Sequence, residues 1–232
     1  WLVLFSHPGD FTPVCTTEMI AFTRAHTYFK QMNTELLGLS VDSNSSHLAW
    51  MYDIYLRTGV KIPFPIIADR NGEIARKYGM IATDISNTET VRNVFIIDDK
   101  GIVRTILVYP MNVGRWIPEI LRIVQALQVA DNNKASTPAN WIPCNPVIMP
   151  IPTTFDGLME RRKQIQEGIV GGMNWYLGFK NPDKCSKIYD KVENSNNINH
   201  IGISENNSES SCGCGNNREN NRGNNRENSI GT

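Results

Sequence analysis

Residues Thr12-Pro13-Val14-Cys15 place a hydroxyl, a rigid ring and a thiol within four consecutive positions. Threonine followed by proline is a helix-start signal. Threonine serves as the N-cap, and proline, whose missing N–H would go unpaired there anyway, takes the first helical position. Cys15 then falls in the first turn, where unpaired backbone N–H groups and the positive end of the helix dipole favour thiolate over thiol. The magnitudes require more. Moving a thiol from a pKa of ~8.5 to ~6 takes about 3.4 kcal/mol, whereas the dipole supplies roughly 0.3–1 and at best ~2 kcal/mol. A fixed cation has to make up the difference. Arg92, just before the apolar run Asn93 to Asp98, is the candidate, because guanidinium stays charged when buried and offers several donors. Glu18, one helical turn past Cys15, can orient it. The Thr12 hydroxyl and the backbone N–H groups of Val14 and Cys15 can hold an electrophile in line with the sulfur. Pro8, rigid and without a donor, can keep water from it. His7 reads as a loop histidine hydrogen-bonded to the backbone. Each feature is common by itself; their concentration in one short stretch after an apolar strand points to an activated nucleophile.

The elements that must position these groups follow from periodicity. Trp1 to Ser6 reads as a buried strand, the segment His7 to Asp10 as a loop, and the helix from Pro13 runs to about Met32. Glu35 to Val41 is a second strand, Ser45 to Thr58 an amphipathic helix, Pro65 to Asp69 a third strand and Gly72 to Tyr78 a short helix. Asn93 to Asp98 and Ile102 to Tyr109 form a hairpin through Asp99-Lys100-Gly101, with glycine where positive φ is wanted. A helix over about Arg115 to Val129 carries Pro118 near its first turn. Strands alternating with helices and ending in an antiparallel hairpin plus helix predict an α/β, thioredoxin-like sandwich over residues 1–130.

Residues 131–193 read as a second, small module. Five prolines between Thr137 and Pro152 make an extended arm, followed by a helical stretch Phe155 to Gly168, an aromatic patch Trp175 to Phe179 and a last helix Pro182 to Glu193. Residues 194–232 are rich in asparagine, serine, glycine and arginine and repeat Asn-Asn-Arg-Glu, a composition that cannot build a core and predicts a disordered tail.

Composition excludes several classes of partner. With 23 Lys plus Arg against 23 Asp plus Glu, no global basic field draws the chain to nucleic acid or anionic lipid. The longest apolar runs are far below the ~18 residues that cross a bilayer, which predicts a soluble protein. Five cysteines at irregular spacing, Cys15, Cys144, Cys185, Cys212 and Cys214, make no disulfide framework and fit a reducing, cytoplasmic setting. The apolar opening at Trp1, without a charged leader, reads as a truncated start.

The run from Leu4 through Phe5-Ser6-His7-Pro8-Gly9-Asp10-Phe11-Thr12-Pro13-Val14-Cys15-Thr16-Thr17-Glu18 resembles the active-site signature of the peroxiredoxins. The Ser-His-Pro-x-Asp-Phe form, Arg92 ahead of Val94-Phe95-Ile96-Ile97-Asp98, and the following Tyr109-Pro110 are similar to the peroxiredoxin 6 subfamily, including its archaeal-type thioredoxin peroxidases. Asn140-Trp141-Ile142-Pro143, the proline-rich arm and Pro152-Thr153-Thr154 resemble that subfamily's C-terminal dimerisation domain. The resemblance implies a peroxidase acting on hydrogen peroxide and organic hydroperoxides. It makes Cys15 the peroxidatic cysteine, Thr12 and Arg92 the groups that bind peroxide and activate the thiolate, and Pro8 its shield. It also makes Arg115 a second active-site arginine, His7 a histidine near the sulfur and Glu18 the partner of Arg92. Two glycines, Gly172 and Gly178, stand where archaeal relatives carry two C-terminal cysteines.

A sulfenic acid on Cys15 would be reduced through a mixed disulfide. Three routes stay open: an external thiol in a one-cysteine cycle, Cys185 as resolving thiol, or the tail pair Cys212 and Cys214. Cys144 is expected to be packed. Cys212-Gly213-Cys214 offers only two ligands, half a zinc site, so no metal and no cofactor are expected. Implied partners are the peroxide, a thioredoxin-like or low-molecular-weight thiol, and a second copy of the chain in a dimer or a ring of dimers. A holdase chaperone or assembly protein on the same fold is the rival reading. A disulfide reductase would want a second cysteine where Glu18 stands.

Overall fold

A computed structural model describes residues 1–183 apart from 83, 85 and 87. The elements run β1 (Leu2–Ser6), α1 (Pro13–Gln31), β2 (Glu35–Ser40), α2 (Asn44–Thr58), β3 (Ile66–Ala68), α3 (Glu73–Lys77), β4 (Arg92–Ile97), β5 (Val103–Tyr109), α4 (Ile117–Asn133), β6 (Val147–Ile148), α5 (Phe155–Gln166), β7 (Gly171–Asn174) and β8 (Leu177–Lys180). The first five strands form one sheet in the order β3-β2-β1-β4-β5. Strands β1, β2 and β3 are parallel; β4 runs antiparallel to β1 and to β5. This is the α/β sandwich that the alternation of strands and helices predicts.

Strand β1 is central, and its side chains divide between two apolar clusters as the period of two requires. Val3 and Phe5 join Val94 and Ile96 of β4 in a cluster with Phe22 of α1, Trp50 of α2 and Leu121 of α4. Leu4, Phe95 and Ile97 join Leu39, Ala75 of α3 and Met80 in the other. The Phe5 and Phe22 rings stack with centroids 4.1 Å apart, tying the sheet to the helix that carries Cys15. The register then decides what lies beside what. Phe5 pairs with Val94, so the antiparallel β4 brings its first residue, Arg92, to the C-terminal end of β1, where the loop into α1 begins.

Two elements differ from the sequence expectation. Helix α4 begins at Ile117, with Trp116 as its N-cap and Pro118 in its first turn, and runs on to Asn133. Arg115 therefore lies outside the helix, in the segment leading into it. The aromatic patch proves to be the hairpin of β7 and β8, turning through Trp175 and Tyr176, whose rings meet edge to face. Glycines in both strands and bulky aromatics at the turn hide this from periodicity. With β6, the hairpin makes a separate three-stranded sheet. The tail and nearly all of the expected last helix, with Cys185, Cys212 and Cys214, lie outside the described residues. Among the described residues, no helix is long and apolar enough to cross a membrane.

Candidate functional site

The helix start is where the Thr-Pro pair puts it. Thr12 is the N-cap with extended backbone, and Pro13 opens α1. The Thr12 side chain nevertheless makes no capping hydrogen bond; its hydroxyl donates to the carbonyl of Gly9, 2.9 Å away. That corrects the expected capping role. Proline removes one N–H from the helix start, and the occupied hydroxyl proton leaves the Thr12 oxygen lone pairs free to accept. Cys15 sits in the first turn, wholly buried and free of any disulfide. Val14 packs beside Gly114: a Cβ on that glycine would lie 3.5 Å from Val14 Cγ1. Pro8 is buried in the loop before the helix.

Arg92 meets the sulfur. Its Nη1 lies 3.2 Å from Cys15 Sγ and 2.8 Å from Glu18 Oε2, while Nε and Nη2 both donate to the carbonyl of Met111. Glu18 in turn takes the Nε and Nη2 groups of Arg115 on its two oxygens, at 2.9 and 2.6 Å, and the backbone N–H of Arg115 at 2.9 Å. Arg115 Nη1 donates to the carbonyls of Ser6 and Asn93, and the guanidinium stacks over Phe5 and Phe22. All three side chains are buried. Two guanidiniums against one carboxylate leave one positive charge uncompensated, and the atom facing it is Sγ. The cation that the sequence calls for is thus in contact with the sulfur.

His7 does not bond to the backbone as expected of a loop histidine. Its Nε2 lies 3.0 Å from Asp10 Oδ1, and its Nδ1 is buried with no partner among the described residues. Asp10 also meets His47, from the first turn of α2, at 2.8 Å from Nδ1. Burial pushes the His7 pKa down despite Asp10 beside it. Burial acts the same way on His47, but hydrogen bonding and charge from Asp10 outweigh it and raise that pKa. Asp10 is opposed by burial and yet held well below the usual carboxylate range by His47, His7 and Ser46. His47 and the Met111 carbonyl were not found from sequence. One stands at an unremarkable helix position and the other is backbone, so neither carries a local signal.

The remaining cysteine positions separate clearly. Cys144 is disulfide-bonded, not a packed thiol. Its left-handed backbone, φ 77°, belongs to a turn in the arm. Gly172 and Gly178 pair directly across the β7–β8 hairpin, and a Cβ on Gly172 would fall 2.4 Å from the carbonyl oxygen of Leu177. No side chain fits there, so a cysteine at Gly172 would require the hairpin to open.

Two family models match this chain: the AhpC/TSA family over residues 1–106 and the C-terminal domain of 1-Cys peroxiredoxin over residues 126–164. This chain belongs to the peroxiredoxin family. Peroxiredoxin 2 of Caldanaerobacter subterraneus subsp. tengcongensis is 57% identical over 180 residues, covering 78% of this chain and 80% of that protein. Peroxiredoxin 2 of Sulfurisphaera tokodaii is 56% identical over 184 residues, covering 78% and 83%. Among solved structures, a cysteine-to-serine mutant of peroxiredoxin 6 of Arenicola marina superposes with a TM-score of 0.68 at 33% identity, over 79% of this chain and 86% of that one. A yeast mitochondrial 1-Cys peroxiredoxin gives 0.67 at 38% identity, over 78% and 86%. The fold is therefore the thioredoxin-like peroxiredoxin fold, and the peroxiredoxin described here is a thiol-dependent peroxidase.

Proposed function

We propose that Cys15 is the peroxidatic cysteine of this peroxidase, with hydrogen peroxide and organic hydroperoxides as substrates. The contact of Arg92 Nη1 with Cys15 Sγ at 3.2 Å carries the reading. The thiolate attacks one peroxide oxygen. An S–O bond forms, the O–O bond breaks, and the leaving oxygen departs as water or alcohol once protonated, so Cys15 becomes a sulfenic acid. Arg92 stabilises the charge on sulfur and, with the backbone N–H groups of Val14 and Cys15, on the departing oxygen. Thr12 accepts the peroxide O–H, Glu18 and Arg115 hold Arg92 in place, and Pro8 keeps water from the sulfur.

An external thiol then attacks the sulfenic sulfur. A mixed disulfide forms with loss of water, and a second thiol releases Cys15. This one-cysteine cycle is supported by the glycine pair 172 and 178 and by the match to a 1-Cys C-terminal domain. The yeast relative is described as resolved through glutathione and thioredoxin systems, and a reductant of that class, a small thiol or a thioredoxin-like protein, suits this chain. The reading places the enzyme in the cytoplasm, where reductant is at hand.

The domain division at 130/131 and 193/194 belongs to the same proposal, with residues 131–193 as a dimerisation module. Helix α5 buries none of its residues, and Ile151, Phe155, Met159 and Met173 are exposed, an apolar face suited to a second copy of the chain.

Mass spectrometry after one equivalent of peroxide tests the cycle. A single added oxygen on Cys15, replaced by a mixed disulfide when glutathione is supplied, is the expected result. A Cys15 to Cys185 disulfide would establish Cys185 as resolving thiol instead. Peroxide consumption undiminished in Cys15→Ser would remove the assignment altogether.

A further inference from the structure

The Glu18–arginine cluster leaves a second buried polar group unexplained: His7, Asp10 and His47. Their side chains are at most 3% exposed, and they come from two separate places, the β1–α1 loop for the first two and α2 for the third. Asp10 lies between the imidazoles, with Oδ1 3.0 Å from His7 Nε2 and Oδ2 2.8 Å from His47 Nδ1. His47 Nε2 faces the carbonyl oxygen of Ile67 in β3 at 3.3 Å. The backbone N–H of Asp10 is taken by Asp42.

Donor and acceptor counting fixes the protons. A carbonyl oxygen only accepts, so His47 Nε2 carries a hydrogen. An ionised carboxylate only accepts, so His47 Nδ1 carries one as well. His47 is therefore an imidazolium, and it neutralises a carboxylate that burial would otherwise penalise severely. His7 Nε2 meets the same carboxylate and donates to it. With Asp10 neutralised by His47, His7 has no call for a second proton, and its Nδ1 remains a lone pair. That atom is buried and unpartnered among the described residues, in the loop that leads to Cys15. The His7 ring packs 5.2 Å from Trp50, whose Nε1 donates to Thr16, the residue after Cys15.

We propose that His47 is a positioning residue of the peroxidase cycle: as the buried imidazolium partner of Asp10, it keeps His7 neutral with Nδ1 as an acceptor in the Cys15 site. The reading rests on Cys15 as the reacting centre. The acceptor takes a hydrogen bond from an O–H group, that of bound peroxide or of the sulfenic acid. Without the charge on His47, Asp10 would draw a second proton onto His7, and Nδ1 would turn from acceptor to donor. Facing His47 are Asp10, Asp42, His7 and the Ile67 carbonyl; facing His7 are Asp10, His47 and Arg115. The field that sets the two protonation states is contained in that group.

The test has two arms. Ring-nitrogen NMR of the unmodified protein near pH 7 is expected to show His47 protonated on both nitrogens and His7 on Nε2 alone. A neutral His47, or a doubly protonated His7, would overturn the proposal. In kinetics, His47→Gln keeps a donor toward Asp10 but removes the charge. Its kcat/KM for hydrogen peroxide is expected to fall about 10-fold, less than the ~10² lost with an outright proton-transfer group, and the acid limb of its pH profile to move to higher pH. Adding Asp10→Asn to His47→Gln removes the surplus negative charge and is expected to return that limb toward its original position. An unshifted limb in the single variant, or no return in the double variant, would sink the idea. The NMR arm is read equally well in Cys15→Ser, so failure of the Cys15 assignment and failure of the His47 proposal are separately visible.

Discussion

The five-stranded sheet and the small sheet near residue 180 are built to opposite rules. In the first, all six residues of β4 and the last four of β1 are buried, and helices α1 and α4 each set several side chains into the core. In the second, α5 contributes no buried side chain and β7 is exposed along its whole length. The difference teaches where precision is needed. A sulfur held 3.2 Å from a guanidinium requires every supporting atom to be fixed by packing. A docking face of the kind proposed for the second region would require only that apolar side chains be presented together.

The contrast can be broken or sharpened by substitution. Phe22→Ala, which removes a ring stacked on Phe5 beneath α1, is expected to destabilise by about 3–5 kcal/mol in urea unfolding. Loss of peroxidase activity should accompany it because the helix start loosens. Glu18→Gln is expected to cost about 3–5 kcal/mol, since two buried guanidiniums lose their carboxylate, and a fall in melting temperature would register it. Arg92→Ala leaves the fold standing but is expected to reduce kcat/KM for peroxide by ~10²–10³, the scale of losing one preorganised charge donor. Stopped-flow peroxide consumption measures it.

A smaller effect concerns pH. The folded pKa of His47 is raised, so its stabilising contribution is complete below the unfolded value of about 6.5 and is lost as pH rises through the folded pKa. Unfolding at a series of pH values is therefore expected to show the gap between the unmodified protein and His47→Gln widest near pH 6 and closing at alkaline pH. The smallest expected effect lies in the other region. Phe155→Ser at an exposed position should change monomer stability by no more than about 0.5 kcal/mol, yet weaken self-association in analytical ultracentrifugation. A large loss of monomer stability there would erase the distinction between the two sheets.

Much of the site is legible in the linear chain because its chemistry is local. The Thr12-Pro13 start, the first-turn placement of Cys15 and the i, i+3 relation to Glu18 are all consequences of helix geometry. The shortfall left by the dipole calls for a cation, and Arg92 at the head of an apolar strand answers it. Arg115 was reached through resemblance alone; the helix expected over it would have directed it elsewhere, whereas the structure leaves it ahead of the helix and able to hold Glu18 with side chain and backbone together. The Thr12 hydroxyl was expected to cap and instead donates to Gly9, a choice made by loop closure. The comparisons lend no support to a holdase reading.

What the sequence by itself determined is the helix that carries Cys15 in its first turn, the alternation that makes the α/β sandwich and the demand for a buried cation, since these depend on propensity, period and elementary electrostatics. Only the tertiary structure decided how the charges balance: two arginines share one glutamate with the sulfur, and His47 reaches Asp10 from another helix. Such balances depend on distances between groups far apart in the chain, and on backbone carbonyls such as those of Met111 and Ile67, which every residue possesses and no residue type announces.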